Sequence, residues 1–275
     1  TAATLSRGME HIAATPRDWD LLDLRWVATT HDQQRAPVAM ALAGFPCRRS
    51  MWKRTGIVDL RIGFEAWWNS RSVKLRSNIR RAEKRTLALG RVEFIRHRPA
   101  SLMAGDGDPR WDLYDECVAL AAASWQGDSV TGTTLSHPEV ADFFRETHAV
   151  AAEQGAVDLC LVKIDGRPAA FAYNYHNPGY LFGLRMGYEP EFAEAGVGTF
   201  LKSGMIRDSF ERGDGLFDLA HDDLPRKQAW LTDTVPSLRY THYPLLHIRS
   251  QLLRARHWLA RSRTALPHTV PAPLI

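Results

Sequence analysis

The alternation of apolar and polar positions is most regular between Gly155 and Gly213. Residues 157–163 form an apolar, β-branched run, and Asp165-Gly166 is a turn pair of the kind that closes hairpins. Residues 168–175 alternate, with Phe171, Tyr173 and Tyr175 on one face and Ala170, Ala172 and Asn174 on the other. Asn177-Pro178-Gly179 marks a second turn and residues 180–186 a third strand. After a loop over 187–195, Gly196-Val197-Gly198 opens a helical pattern that carries Phe200, Leu201, Met205, Ile206 and Phe210. Gly213-Asp214-Gly215 stops that helix, and residues 216–219 predict another strand.

Outside this stretch the pattern is coarser. Residues 19–27 fit a strand or a short helix, residues 37–46 an apolar segment broken at Gly44 and Pro46, and residues 56–60 a strand. A helical region starts at Phe64, breaks near residues 70–72 and continues to Gly90, with Leu75, Ile79, Ala82 and Leu89 toward the core. Residues 91–96 predict a strand. Residues 111–125 and 138–154 predict helices, the second started by His137, with Val140, Phe143, Phe144, His148 and Val150 on its apolar side. Trp125 is expected in the core. Residues 243–263 predict a basic amphipathic helix, expected to pack on the domain, with an acidic membrane surface as the alternative. Residues 265–275 read as a frayed end.

Composition narrows the class without naming a function. With 275 residues, 45% hydrophobic and 24% charged, the chain suits one large or two small globular domains. No apolar run is long enough to span a bilayer. The first twenty residues lack the apolar core of a signal peptide. Three widely separated cysteines, Cys47, Cys117 and Cys160, argue against a disulfide framework and fit a reducing compartment. No cysteine or histidine cluster has metal-ligand spacing, so no metal is expected.

The net charge of +4 conceals a local excess. Residues 71–91 hold Arg71, Lys74, Arg76, Arg80, Arg81, Lys84, Arg85 and Arg91 against Glu83 alone, so the rest of the chain is net negative. On a helix, Lys74, Asn78, Arg81 and Arg85 form one stripe and Arg76, Arg80 and Lys84 another. Such a face is either simply solvated or an anion site for coenzyme phosphates, an acyl carrier protein or an acidic substrate. Nucleic acid ranks behind these, because no aromatic side chains interleave with the basic ones.

The glycine pair opening the helix at Gly196 carries the most specific chemistry. Glycines at a strand-to-helix junction let a ligand approach the backbone, and the helix start offers unpaired N–H groups and the positive end of a dipole. Thr199 and Lys202 stand close enough in sequence to assist. The competing interpretation is a plain turn with a solvated lysine.

Three blocks together resemble the GNAT superfamily of N-acyltransferases, in particular its cellulose-biosynthesis-type acetyltransferase branch, which is similar in turn to the Fem-type aminoacyl transferases. They are SVKLRSNIRRAEKRTLALG at residues 72–90, the meander with its glycine turn, and FDLAHDDLPRKQAW at residues 217–230. The resemblance runs from about residue 16 to about residue 250. It implies an α/β, GNAT-like fold with a mixed, largely antiparallel sheet flanked by helices. It further implies a connector or remnant of an N-terminal half over 1–60, an acyltransferase domain over 61–250 and a basic helix and tail over 251–275.

The implied activity is transfer of an acyl group from a thioester, acyl-CoA or acyl carrier protein, to an amine of a cell-envelope or secondary-metabolite substrate, small-molecule or carrier-bound. A tRNA-dependent aminoacyl transferase and a non-catalytic GNAT-derived binding module are the alternatives. Asp223 and Lys227 match an Asp and a Lys of the family pattern, and Trp230 its aromatic residue. Asp222 and Arg226 depart from it, standing where Gly and Tyr are usual. His221 joins Asp223 as a candidate base for the acceptor ammonium, with Lys227 the third catalytic candidate; a salt-bridged strand end pairing Asp223 with Lys227 or Arg226 is the alternative. Donor contacts fall on Leu184 and Met186 of the third meander strand, on Gly196, Gly198 and Thr199, and on Lys202. Arg76, Arg80 and Trp230 are the candidates for the substrate side. Ala193 stands where a Gln or Arg is common in the superfamily, which leaves the donor open. The expected location is the cytoplasm, with a peripheral place on the inner membrane allowed by the basic tail.

Overall fold

A computed structural model of the chain describes residues 2–29, 32–129, 134–220 and 224–264. The helices are α1 (Ala2–Ala14), α2 (Asp32–Leu42), α3 (Phe64–Ser70), α4 (Val73–Leu87), α5 (Trp111–Ala123), α6 (Pro138–Glu153), α7 (Val197–Glu211), α8 (Leu224–Lys227) and α9 (Ile248–Thr264). The strands are β1 (Leu22–Ala28), β2 (Arg48–Asp59), β3 (Val92–His97), β4 (Val157–Ile164), β5 (Arg167–Asn177), β6 (Tyr180–Tyr188), β7 (Leu216–Asp218) and β8 (Asp233–His242). They fall into two compact units, one of Thr1–Arg54 with Pro236–Ile275 and one of Thr55–Val235. β2 and β8 are the strands through which the chain passes from one unit to the other.

In the first unit β1 pairs antiparallel with β8, with a bulge between Leu24 and Val27 where Trp26 takes a positive φ of 63°. Met9, Val27, Ala36, Met40, Leu238 and Tyr240 form its core. α2 carries Pro37 in its interior, so the Gln33 carbonyl loses its helical N–H donor. The Tyr240 hydroxyl replaces it, donating to that carbonyl at 2.6 Å.

The second unit holds a mixed, largely antiparallel sheet in the order β2-β7-β6-β5-β4-β3, parallel only between β6 and β7. The turn closing β4 onto β5 has positive φ at both Asp165 (49°) and Gly166 (79°), as a two-residue hairpin requires. β4 alternates between two cores. Cys160 and Val162 join Leu75, Ile79, Leu201, Met205 and Ile206 of α4 and α7 on one face. Leu159 and Leu161 meet Leu113, Tyr114 and Leu120 of α5 on the other. Helices on both faces explain why β4 is apolar almost throughout. Ser72 caps α4 by accepting from the Leu75 N–H at 3.2 Å, which makes the predicted break before that helix.

Several expectations fail for reasons of environment. Trp125 is exposed, not in the core, because α5 ends before it. Phe143 and Val150 of α6 and Leu89 after α4 are also exposed; the apolar contact of α6 narrows to the line through Phe144, His148 and Ala152. His148 is fully buried as expected, with Nε2 2.7 Å from the Pro109 carbonyl and Nδ1 3.2 Å from the Tyr173 hydroxyl. α1 was not foreseen at all. α9 packs by one side, where Ser250 is buried against Asp20, as expected of a peripheral helix, and its outer face is bare.

A buried ion cluster fastens one end of the sheet. Asp158, fully buried on β4, sits 2.8 Å from Arg96 Nη2 and 2.7 Å from Arg98 Nη2 and accepts from Asn174 Nδ2 at 3.1 Å. Arg96 also reaches Asp208 near the end of α7 at 2.6 Å, and Arg98 reaches Asp214, just before β7, at 2.8 Å. Burial alone would raise the Asp158 pKa, but the two guanidinium groups outweigh it and hold the carboxyl below its ordinary range. The cluster ties β3 and β4 to the end of α7 and to the approach to β7.

Candidate active site

β6 and β7 share only a short ladder, Tyr180 to Phe182 against Leu216 to Asp218. β6 then runs on to Tyr188, while β7 ends. A Cβ on Gly183 would stand 2.9 Å from the Asp218 carbonyl, so the two backbones touch there before they part. On its other edge β6 is paired with β5, but the register shifts so that Leu184 has no partner residue. The bulge re-aims the backbone at Leu184 just where β6 loses β7. The edge of residues 184–188 away from β5 thus has no ladder partner among the described residues.

Tyr188 ends β6 beside the glycine turn, and a Cβ on Gly198 would come within 3.0 Å of its ring. Gly196 caps α7 at φ 82°, in the left-handed region, and no side chain caps the helix. A Cβ on Gly196 would meet the Cβ of Ala82 on α4 at 3.0 Å. The Gly196 carbonyl takes the N–H groups of Thr199 (2.9 Å) and Phe200 (3.0 Å). The Thr199 amide is therefore engaged within the helix, while the Val197 and Gly198 N–H groups have no backbone acceptor among the described residues. Arg85 donates to the Glu194 carbonyl at 3.3 Å and so stands over the loop.

Of the residues singled out in the sequence, Leu184, Gly196, Gly198 and Thr199 lie along this junction. Met186 is half-buried, its carbonyl accepting from Gln126 Nε2 at 3.3 Å. Gln126 itself is buried, and its Oε1 has no hydrogen-bond partner among the described residues. Lys202 sits one turn further along α7 with Nζ 5.4 Å from the Trp230 ring. Trp230 is buried, stacked on Trp67 at 6.4 Å and 25°. Lys227 Nζ donates to the Leu219 carbonyl at 2.5 Å. Arg76 is half-buried, and the exposed Arg80 lies 5.7 Å from the Trp68 ring. His221 and Asp223 lie outside the described residues.

Two residues that pattern analysis passed over stand at the same junction. Arg85 belongs to the stripe with Arg81 and Asn78, which the sequence could not rank against the stripe of Arg76 and Arg80. Asp218 ends β7 with its side chain accepting from the Ala220 N–H at 2.7 Å, where Ala220 itself has φ 61°. Burial raises its pKa, only partly offset by the Ala220 amide, Lys227 and Thr55. Tyr180, on the strand paired with it, is pushed up to about 12, first by burial and then by the Asp218 charge. The sign is opposite to that of Asp158. A raised carboxyl contributes stability below the unfolded value of about 3.9 and loses it as pH rises through the folded value. Asp218→Asn is therefore expected to leave stability at pH 7 unchanged or raised, by urea denaturation, whereas a paired carboxylate would show a loss.

The described residues contain no group of three or more His, Cys, Asp or Glu that could hold a metal ion, and no helix long and apolar enough to cross a membrane.

Comparison with known proteins places these features in a family. A family model described as an acetyltransferase (GNAT) domain matches residues 73–228, more than half of the chain, and spans the bulge, the glycine turn and the end of β7. No curated protein matches the chain significantly. Among solved structures, FemX is similar with a TM-score of 0.55 at 13% identity, over 92% of this chain and 78% of that one. A conserved protein of unknown function from Bacteroides thetaiotaomicron VPI-5482 is similar with a TM-score of 0.50 at 12% identity, over 88% and 75%. L-PGS from Bacillus licheniformis is similar with a TM-score of 0.50 at 13% identity, over 82% and 70%. At such identities the structural likeness speaks for the fold, and the family model for the acyltransferase class. The chain belongs to the GNAT acetyltransferase domain family.

Proposed function

We propose that the chain is a cytoplasmic N-acyltransferase that moves an acyl group from the thioester of an acyl-CoA or acyl carrier protein to an amine of a cell-envelope or secondary-metabolite substrate. The observation that carries this proposal is the junction itself: a strand edge without a ladder partner ends at Tyr188, beside a helix start that no side chain caps. The phosphates of the carrier fit the N–H groups of Val197 and Gly198, with the Thr199 hydroxyl and Lys202 beside them. Its pantetheine arm and thioester fit the edge of β6 from Leu184 to Met186.

In the transfer, the neutral amine nitrogen attacks the thioester carbonyl carbon. The developing oxyanion is held by a β6 backbone N–H, and the C–S bond breaks as the C–N bond is completed. Asp223 or His221 takes the proton from the amine, and the departing thiolate picks up a proton. Lys227 and Trp230 support this corner, and Arg76 and Arg80 attract an acidic acceptor or carrier.

A second proposal, an aminoacyl-tRNA-dependent transferase, is favoured by one feature. Ala193 provides no side chain to grip a pyrophosphate, while the basic α4 brings Arg85 to the loop. Thermal shift with acyl-CoAs, acylated carrier proteins and aminoacyl-tRNA separates the two. A true donor at a hundred times its Kd adds about 2.7 kcal/mol of stability. If none of these donors raises the melting temperature, the transferase assignment fails. Full turnover by both Asp223→Asn and Lys227→Ala would move the catalytic groups elsewhere.

A further inference from the structure

α9 in the first unit has one side held and one side bare. On the held side Ser250 is buried, with Oγ 3.5 Å from Asp20 Oδ1, and His257 Nδ1 lies 2.8 Å from the Tyr243 hydroxyl. Gln251 Nε2 donates to the Pro244 carbonyl at 2.9 Å. These contacts fix the rotation of the helix about its axis. The opposite side then presents Ile248, Leu252, Ala255 and Leu259, spaced as one helical stripe. Ile248 is 80% exposed, Leu252 66% and Leu259 55%, and Leu246 just before the helix is 99% exposed. A helix lying on a protein in water carries polar residues at those positions.

The charge around the stripe identifies what covers it. Arg249 and Arg256, seven residues apart, flank it on one side, and Arg254 lies further around. No acidic residue occurs from Pro244 to Thr264. A second copy of the chain is a poor fit, because pairing this face with itself brings the arginines of both copies to one seam with no carboxylate of α9 to meet them. An anionic lipid surface satisfies both features at once, taking up the aliphatic stripe at the acyl boundary and offering phosphates to the arginines.

We propose that α9 is an interfacial helix that holds this protein on an anionic lipid bilayer. The stripe of Ile248, Leu252 and Leu259, with Leu245 and Leu246, enters the headgroup boundary, and Arg249 and Arg256 lie on lipid phosphates. Co-sedimentation of the full chain with vesicles of phosphatidylglycerol and phosphatidylcholine, or of phosphatidylcholine alone, tests this. Binding is expected to the anionic vesicles and to weaken in high salt. Arg249→Gln with Arg256→Gln is expected to weaken it about 25-fold, at about fivefold for each arginine. Leu252→Glu with Leu259→Glu is expected to abolish it. Both double variants change exposed side chains only, so their far-ultraviolet circular dichroism and melting temperature are expected to match the parent chain. Equal binding to both kinds of vesicle, or to neither, overturns the proposal. So does a parent dimer in light scattering that the leucine variants dissolve, since a second copy would then be the partner.

Discussion

Replacing Asp158 by alanine is expected to lower the unfolding free energy by about 3–5 kcal/mol, the range for removing one partner of a buried ion pair. Asp158 serves Arg96, Arg98 and Asn174 together, so its loss leaves two largely buried guanidinium groups with only Asp208 and Asp214 to answer them. Urea denaturation with an unchanged m-value reads the effect directly. The exposed pair Arg145–Asp115, 2.9 Å apart, is the control, and its disruption is expected to cost less than about 1 kcal/mol. The pH dependence follows from the depressed carboxyl. Its contribution is present above the unfolded value of about 3.9 and is lost as pH falls through the lower folded value. The gap between parent and Asp158→Ala should therefore close on acidification below about pH 4. Asp214, also held well below the ordinary range against its own burial by His176, Arg98 and Arg96, adds to the same acid-side loss. A deficit under about 1 kcal/mol at pH 7 would mean that the cluster is not structural.

Gly198→Val is expected to do the reverse, sparing stability and removing donor binding. Gly198 lies in the first turn of α7, outside the left-handed region, so a side chain brings no backbone strain. Its Cβ would press the partly exposed ring of Tyr188, which can yield, and the helix exchanges a glycine for a residue of higher propensity. The stability change is expected to stay within about 1 kcal/mol. The added methyls, however, stand at the entrance to the Val197 and Gly198 amides. Losing two hydrogen bonds to a charged phosphate, at about 1.5–3 kcal/mol each, amounts to at least about a hundredfold in donor affinity. Isothermal titration with the donor found by thermal shift, beside a melting curve, gives both numbers. Donor affinity within tenfold of the parent would mean that phosphates do not rest on this turn.

These two expectations differ in how far the sequence announces them. The glycine pair is local. The meander, the turn pair at Asp165-Gly166, the start of α4 at Ser72 and the extent of α7 are all set by neighbours within a few positions, where periodicity and turn chemistry speak directly. The fold class follows from that local order, since a three-strand meander feeding a helix and then another strand allows few arrangements.

The ion cluster, by contrast, assembles Arg96, Arg98, Asp158, Asp208 and Asp214 from four separate parts of the chain. Nothing in the spacing of these residues marks them as partners, because only the packing of α7 on β3 and β4 makes them neighbours. The same holds for Asp218, whose raised pKa comes from burial, and for the choice of Arg85 over Arg80 beside the glycine turn. It holds for the bulge at Leu184, where one unpaired residue depends on the register of β5. It holds last for α9, whose alternation predicts two faces but not which one the body covers. Local pattern sets which elements form and where they start. The desolvation of particular groups, and the surface each helix leaves bare, are decided only when those elements meet.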